Sequence, residues 1–169
     1  MKTYTPSHIA NYFLKRAESQ GIEITLLKLL KLVYIGYGWV LALTGRKLFD
    51  DDIQAWQHGP VIPSLYYEFK SFGRMPIDKF ATDLNLENLN IFVPEIDKDD
   101  KDVLLILERV WDIYHKFTAS TLRNKTHEAD TPWTETYKGG IGANKTISTD
   151  LIKAHFKKKI EGYLDAAER

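Results

Sequence analysis

Between Leu26 and Thr44 the chain reads LLKLLKLVYIGYGWVLALT, apolar at nearly every position and charged only at Lys28 and Lys31. A helix with so little polar surface belongs inside a fold, so the pattern predicts a buried central helix, capped at Thr25 and stopped at Gly45. A membrane span asks for about 20 unbroken apolar residues. Here the two lysines interrupt the start, and only Leu32 to Leu43 runs free of charge. Lys28 and Lys31 stand three apart and share one helical edge, which is expected to reach solvent. Gly36 and Gly38 each cost about 1 kcal/mol against Ala in a helix interior, a sign that another backbone packs close.

The other elements are amphipathic. Thr5-Pro6 opens a helix with Ile9, Tyr12, Phe13 and Ala17 on one face, and Gly21 ends it. In KLFDDDIQAWQ two short apolar segments flank Asp50, Asp51 and Asp52, the pattern of a small β-hairpin with a polar turn. Pro63 starts a helix over 64–72 that Gly73 ends, and 74–96 is an irregular but ordered connection. Acidic residues at 97–100 lead into a helix over 98–117, whose Val103, Leu107, Val110, Tyr114 and Phe117 form a core stripe. Thr118 and Thr131-Pro132 open two short helices joined near Ala129. KGGIGANK reads as a flexible loop, after which Ser148 caps a last helix burying Ile152, Phe156, Ile160 and Tyr163. The predicted fold is mainly α: a single compact helical domain over 1–169, built around the buried central helix, with one short β-hairpin.

Composition narrows the function. The chain has 169 residues, 44% of them hydrophobic, enough for one sizeable core. Its 23 basic and 23 acidic residues give a net charge of zero, which argues against a nucleic-acid partner. With no cysteine, thiolate catalysis, disulfides and Cys-based zinc sites are excluded. The N-terminus lacks a signal-peptide pattern, so a cytoplasmic location without membrane attachment is expected.

Several chemistries come close and fail on single residues. Gly139 to Thr146 nearly spells a phosphate-binding loop, but Asn144 stands where glycine must precede the lysine, and no apolar strand leads in. His127-Glu128 lacks the second histidine of a zinc helix, because Thr131 occupies its position. Ser64 lacks the glycines of a nucleophile elbow. Lys157 to Lys159 fan around a helix as a solvated face, and Asp50 to Asp52 lack cation-loop spacing. His8, His58, His115 and His155 are dispersed and read as structural. No catalytic or metal-binding residue is assigned, and no cofactor is expected.

The order of segments is more specific than any of these motifs. Residues 26–73, which include AWQHGPVIPSLYYEF, and the later LRNKTHEADTPW at 122–133 resemble the Panacea domain of SocA-like antitoxins and phage-associated proteins. Weaker similarity in TPSHIANYFLKRA and ISTDLIKAHF extends the resemblance over most of the chain. It implies a non-enzymatic antitoxin of a toxin-antitoxin system that neutralises a cognate protein toxin by direct binding. One SocA-type member is an adaptor that delivers its toxin to the ClpXP protease, so sequestration and targeted degradation are both open. Some members add a helix-turn-helix domain; this chain has no spare length for one, and transcriptional autoregulation is not expected. Self-association into a homo-oligomer stays open.

On the residues themselves, Gly59-Pro60 is a rigid corner between hairpin and helix, with Trp56 and Tyr66 supplying packing. Trp and Tyr are also favoured in contact surfaces, so Trp56, His58, Tyr66, Tyr67, Glu68, His127 and Trp133 are the candidate partner-binding residues. His58, Tyr67 and Glu68 are expected to form the exposed part, and the segment from His127 to Trp133 to pack beside the corner. The competing reading is a small nucleotide- or metal-dependent enzyme or regulator of phage origin that uses His58, His127 or the glycine loop.

Overall fold

The fold is taken from a computed structural model that describes residues 2–168. Helix α1 (Pro6–Gln20) begins where the Thr5 amide donates to His8 Nδ1 at 3.1 Å, which gives His8 a structural role. Gly21 ends the helix in the left-handed conformation at φ 65°. Helix α2 (Leu26–Thr44) is the centre of the molecule, with α1, α4 (Lys101–Tyr114) and α7 (Thr149–Ala167) packed around it. By length and hydropathy α2 resembles a membrane span, but most of it is enclosed within the fold. Burial on several sides accounts for the absence of a polar face.

The two helical glycines of α2 make room for side chains, where a close backbone was expected. A Cβ on Gly38 would lie 2.1 Å from the Phe156 ring of α7, and one on Gly36 would lie 2.8 Å from Leu107 Cδ2 of α4. Lys31 also departs from expectation: it is fully buried, while Lys28 is half-buried and donates to the His115 carbonyl. Trp39 lies half-buried against Phe156, edge to face.

The hairpin exists, but it is shifted along the chain. Its strands are β1 (Gln54–Trp56) and β2 (Gly59–Val61), joined by Gln57 and His58, and the three aspartates lie before it. The tight turn closes here because Gly59 adopts φ 111°, which a residue with a side chain rarely tolerates. Asp51 instead accepts a hydrogen bond of 2.8 Å from Ser64 at the start of α3 (Pro63–Phe69). A 3-10 turn over Lys70–Phe72 continues α3.

Within 74–96 a second, minimal ladder forms from β3 (Asp83–Leu84) and β4 (Ile91–Phe92). Its two feet meet at Asn11, which is fully buried. The Asn11 side-chain amide donates to the carbonyls of Ala81 and Pro94, each at 3.0 Å, and its oxygen accepts from the Ala81 amide at 2.8 Å. Asp100 stands just before α4, and its carboxylate accepts two bonds from Arg46, of 3.1 and 2.6 Å, and one from the Tyr4 hydroxyl at 2.8 Å. Burial and the Asp100 carboxylate push the Tyr4 hydroxyl up to about 12.

Helices α5 (Ala119–Thr126) and α6 (Pro132–Tyr137) start where predicted, with the Thr118 and Thr131 side chains accepting from the amides of Thr121 and Thr134. The glycine loop is ordered. Asn144 donates to the Ala55 carbonyl at 2.7 Å and Ala55 to the Lys145 carbonyl at 2.8 Å, so the loop lies along the outer edge of β1. A helix enters this loop and an extended segment leaves it, the reverse of the order in a phosphate-binding loop. Helix α7 buries Ile152 and Phe156 and part of Ile160, but Tyr163 is 62% exposed because the last turns run past the core.

Candidate partner-binding site

Lys31 explains the geometry of the Gly59-Pro60 corner. From the second turn of α2 its buried ammonium group donates to the Pro60 carbonyl at 2.9 Å. The corner lies directly on the lysine: a Cβ on Gly59 would stand 2.8 Å from Lys31 Cε, 3.0 Å from its Nζ and 2.9 Å from Thr126 Oγ1. Glycine is therefore required both by its φ and by the space. Burial, helped by the nearby Arg123 cation, pulls the Lys31 ammonium down to about 7.

Helices α5 and α6 close the same corner from the other side. Thr131 donates its hydroxyl to the Thr126 carbonyl at 2.7 Å, which folds the turn between the helices. Asp130 takes the left-handed conformation there, at φ 60°. The turn places the His127 ring flat on Trp133, with centroids 3.7 Å apart and planes 6° apart, and Tyr137 stacks on Trp133 at 4.5 Å. Trp133 is buried, and its indole N–H donates to the Trp56 carbonyl at 2.7 Å. The two segments separated in sequence thus meet, as expected, through one indole hydrogen bond.

His127 Nε2 is buried without a hydrogen-bond partner among the described residues. Burial first, then the Arg123 and Lys31 cations, pull the His127 imidazole down to about 4, with the His58 backbone opposing weakly. The ring is neutral near pH 7 and serves as a flat stacking surface. Among the described residues no group of three or more His, Asp or Glu side chains is placed to hold a metal ion.

From this lock an aromatic chain leads to the surface. Trp56 meets Tyr66 edge to face at 4.9 Å, and Tyr66 meets Tyr67 at 5.5 Å. Trp56 and Tyr66 are half-buried, His58 is exposed, Tyr67 is 61% exposed and Glu68 is half-buried. Beside them opens a pocket of about 400 Å³ whose lining includes Leu26, Leu30, Trp56, His58 and Tyr66. The geometry divides the candidates in two: His127 and Trp133 belong to the internal lock, while Trp56, His58, Tyr66, Tyr67 and Glu68 form an outer rim.

Lys31 and Thr126 were missed in the sequence, as was Tyr137. The signal for Lys31 was present, since a helix without a polar face leaves a lysine no solvated edge and obliges it to find a buried acceptor.

Residues 29–134 match the family described as Antitoxin SocA-like, Panacea domain. The chain belongs to that family. The matched segment holds Lys31, the Gly59-Pro60 corner and the His127–Trp133 stack, and Tyr137 lies just beyond it. The chain is also similar to Antitoxin SocA of Caulobacter vibrioides (strain NA1000 / CB15N), with 31% identity over 153 residues, covering 88% of this chain and 80% of that relative. No solved structure matches it.

Proposed function

We propose that this Panacea domain is an antitoxin that neutralises a cognate protein toxin by direct contact, and that the rim formed by Trp56, His58, Tyr66, Tyr67 and Glu68 takes part in that contact. Family membership supports the antitoxin role, and it favours a binding module over an enzyme. The observation that carries the surface is the aromatic chain from Trp56 to Tyr67. At its inner end the Trp56 backbone is bonded by Trp133 and the Trp56 indole by Gln54, while at its outer end Tyr67 is largely exposed with Lys70 over its ring, so the rim is held in place with contact area to spare. Rigid aromatic side chains beside an apolar pocket suit a protein partner, because they bury much area at little cost in lost side-chain freedom.

Coexpression with the product of the neighbouring reading frame is the test. Wild-type protein should restore growth and co-purify with that product. Tyr67→Ala should weaken rescue and capture while leaving the melting temperature within about 2 °C, since an exposed ring contributes little to folding. A wild-type chain that accumulates folded yet neither rescues nor captures would end the antitoxin reading for that pair. The level of toxin in rescued cells separates sequestration, in which it is retained, from delivery to a ClpXP-type protease, in which it falls.

A further inference from the structure

Residues 82–93, TDLNLENLNIFV, project from the body as an arm that is fixed at its feet and bare at its tip. Leu86 is 80% exposed, Leu89 73% and Ile91 73%, and Leu84, Phe92 and Val93 are exposed as well. An apolar surface of this density on one short element is uncommon on a monomer and marks a contact site. The tip is nonetheless ordered by its own polar groups. Asn85 Oδ1 accepts from the Glu87 and Asn88 amides, Asn88 Oδ1 from the Asn90 amide, and the Asn85 amide donates to the Asn90 carbonyl at 2.9 Å.

Leu89 holds a left-handed backbone, at φ 56°, while its side chain stands in solvent. A leucine in that conformation is strained, and asparagine would be tolerated far better. Neither the backbone nor burial gives folding a reason for leucine there, so its benefit lies outside the fold.

We propose that this arm docks an extended segment of a protein partner whose side chains are apolar and basic; the partner is the toxin of the preceding reading, on which this inference rests. Two features select that chemistry. Among the described residues each strand of the β3–β4 ladder pairs on one side only, so its other edge is open to an incoming strand. The arm also carries Asp83, which accepts a bond of 3.3 Å from the Thr5 hydroxyl at the foot, and Glu87 nearer the tip, and it has no lysine or arginine. Lys or Arg on the incoming strand would complement these carboxylates, whereas a second copy of the arm or an anionic surface would be repelled.

Two measurements test it. The double variant Leu86→Ser/Leu89→Asn, mixed with the tagged product of the neighbouring reading frame, should bind at least about tenfold more weakly than wild type, the scale of losing one interface anchor. Its melting temperature should be equal or higher, because Leu89→Asn relieves the backbone. Glu87→Lys should also weaken binding, most at low salt. Independently of any toxin, a short extended peptide alternating Val and Lys should shift the amide resonances of residues 83–93, and a Val/Glu peptide should not. Undiminished toxin capture by the double variant overturns the proposal. So does an arm untouched by the Val/Lys peptide, or a wild-type dimer that the double variant breaks. If wild-type protein neither captures nor rescues, the antitoxin reading fails, and the peptide titration still decides the arm.

Discussion

The Gly59-Pro60 corner and the 82–93 arm each belong to a small antiparallel hairpin, and they are held in opposite ways. The corner is held from within at several points: Lys31 bonds its carbonyl, Trp133 bonds β1, and the glycine loop covers the outer edge of β1. The arm is held at its feet by the buried Asn11 and an exposed bond from Thr5 to Asp83, and its tip is exposed. A segment rich in Trp, Tyr, Pro and Gly therefore serves chiefly as a joint of the fold. The plainer run of Leu and Asn displays more bare apolar surface. Conspicuous composition marks where a chain must bend and pack; exposure depends on what the rest of the molecule leaves uncovered.

The largest effect is expected at the joint. Gly59→Val would place branched carbons against Lys31 and Thr126 while forcing a β-branched residue to φ 111°, and should cost about 3 kcal/mol or more of stability in urea unfolding. A loss below about 1 kcal/mol would mean that the lock is loose.

At the arm, Asn11→Leu would leave the Ala81 amide and the Ala81 and Pro94 carbonyls without partners in a buried place. It should cost about 2 to 3 kcal/mol and accelerate hydrogen exchange in 82–93 more than at the corner. Equal acceleration in both regions would abolish the contrast between them.

The smallest effect near neutrality belongs to Lys31→Met, because an apolar isostere removes the burial cost together with one hydrogen bond. Its signature is the pH dependence. The folded state lowers the Lys31 ammonium from 10.5 to about 7, so between those values the unfolded chain binds more protons. Wild-type stability should therefore rise as pH increases from about 7 toward 9, and the rise should flatten in Lys31→Met. His127 is neutral over that range, so it contributes no competing slope. Parallel pH profiles for the two proteins would contradict the buried-lysine account.

Local signals in the chain were read correctly where the cause is local. Thr118, Thr131 and Ser148 cap their helices through their own hydroxyls, and the apolar run of 26–44 became the core helix. The Thr25 side chain makes no capping bond to α2, and the other failures involve a distant partner. The hairpin register is set by a left-handed glycine pressed on a lysine from another helix. The glycine loop is ordered by β1, far away in sequence, and the ladder in 74–96 stands on an asparagine of α1. At the site, the pairing of Trp56 with the Trp133 segment was legible as two aromatic turns opening helices. The lysine beneath them was signalled by the lack of a polar face on its helix, but its spacing from Lys28 suggests a solvated edge, which tertiary packing covers.

The notch at Gly38 links the centre of the molecule to the far end of the chain. Helix α2 is made early during synthesis, yet the ring that fills its notch belongs to α7, which is made much later. Until Phe156 arrives, a nascent chain must carry part of its most apolar helix uncovered. Such long-range closure slows folding and prolongs the exposure of apolar surface to chaperones and to neighbouring chains.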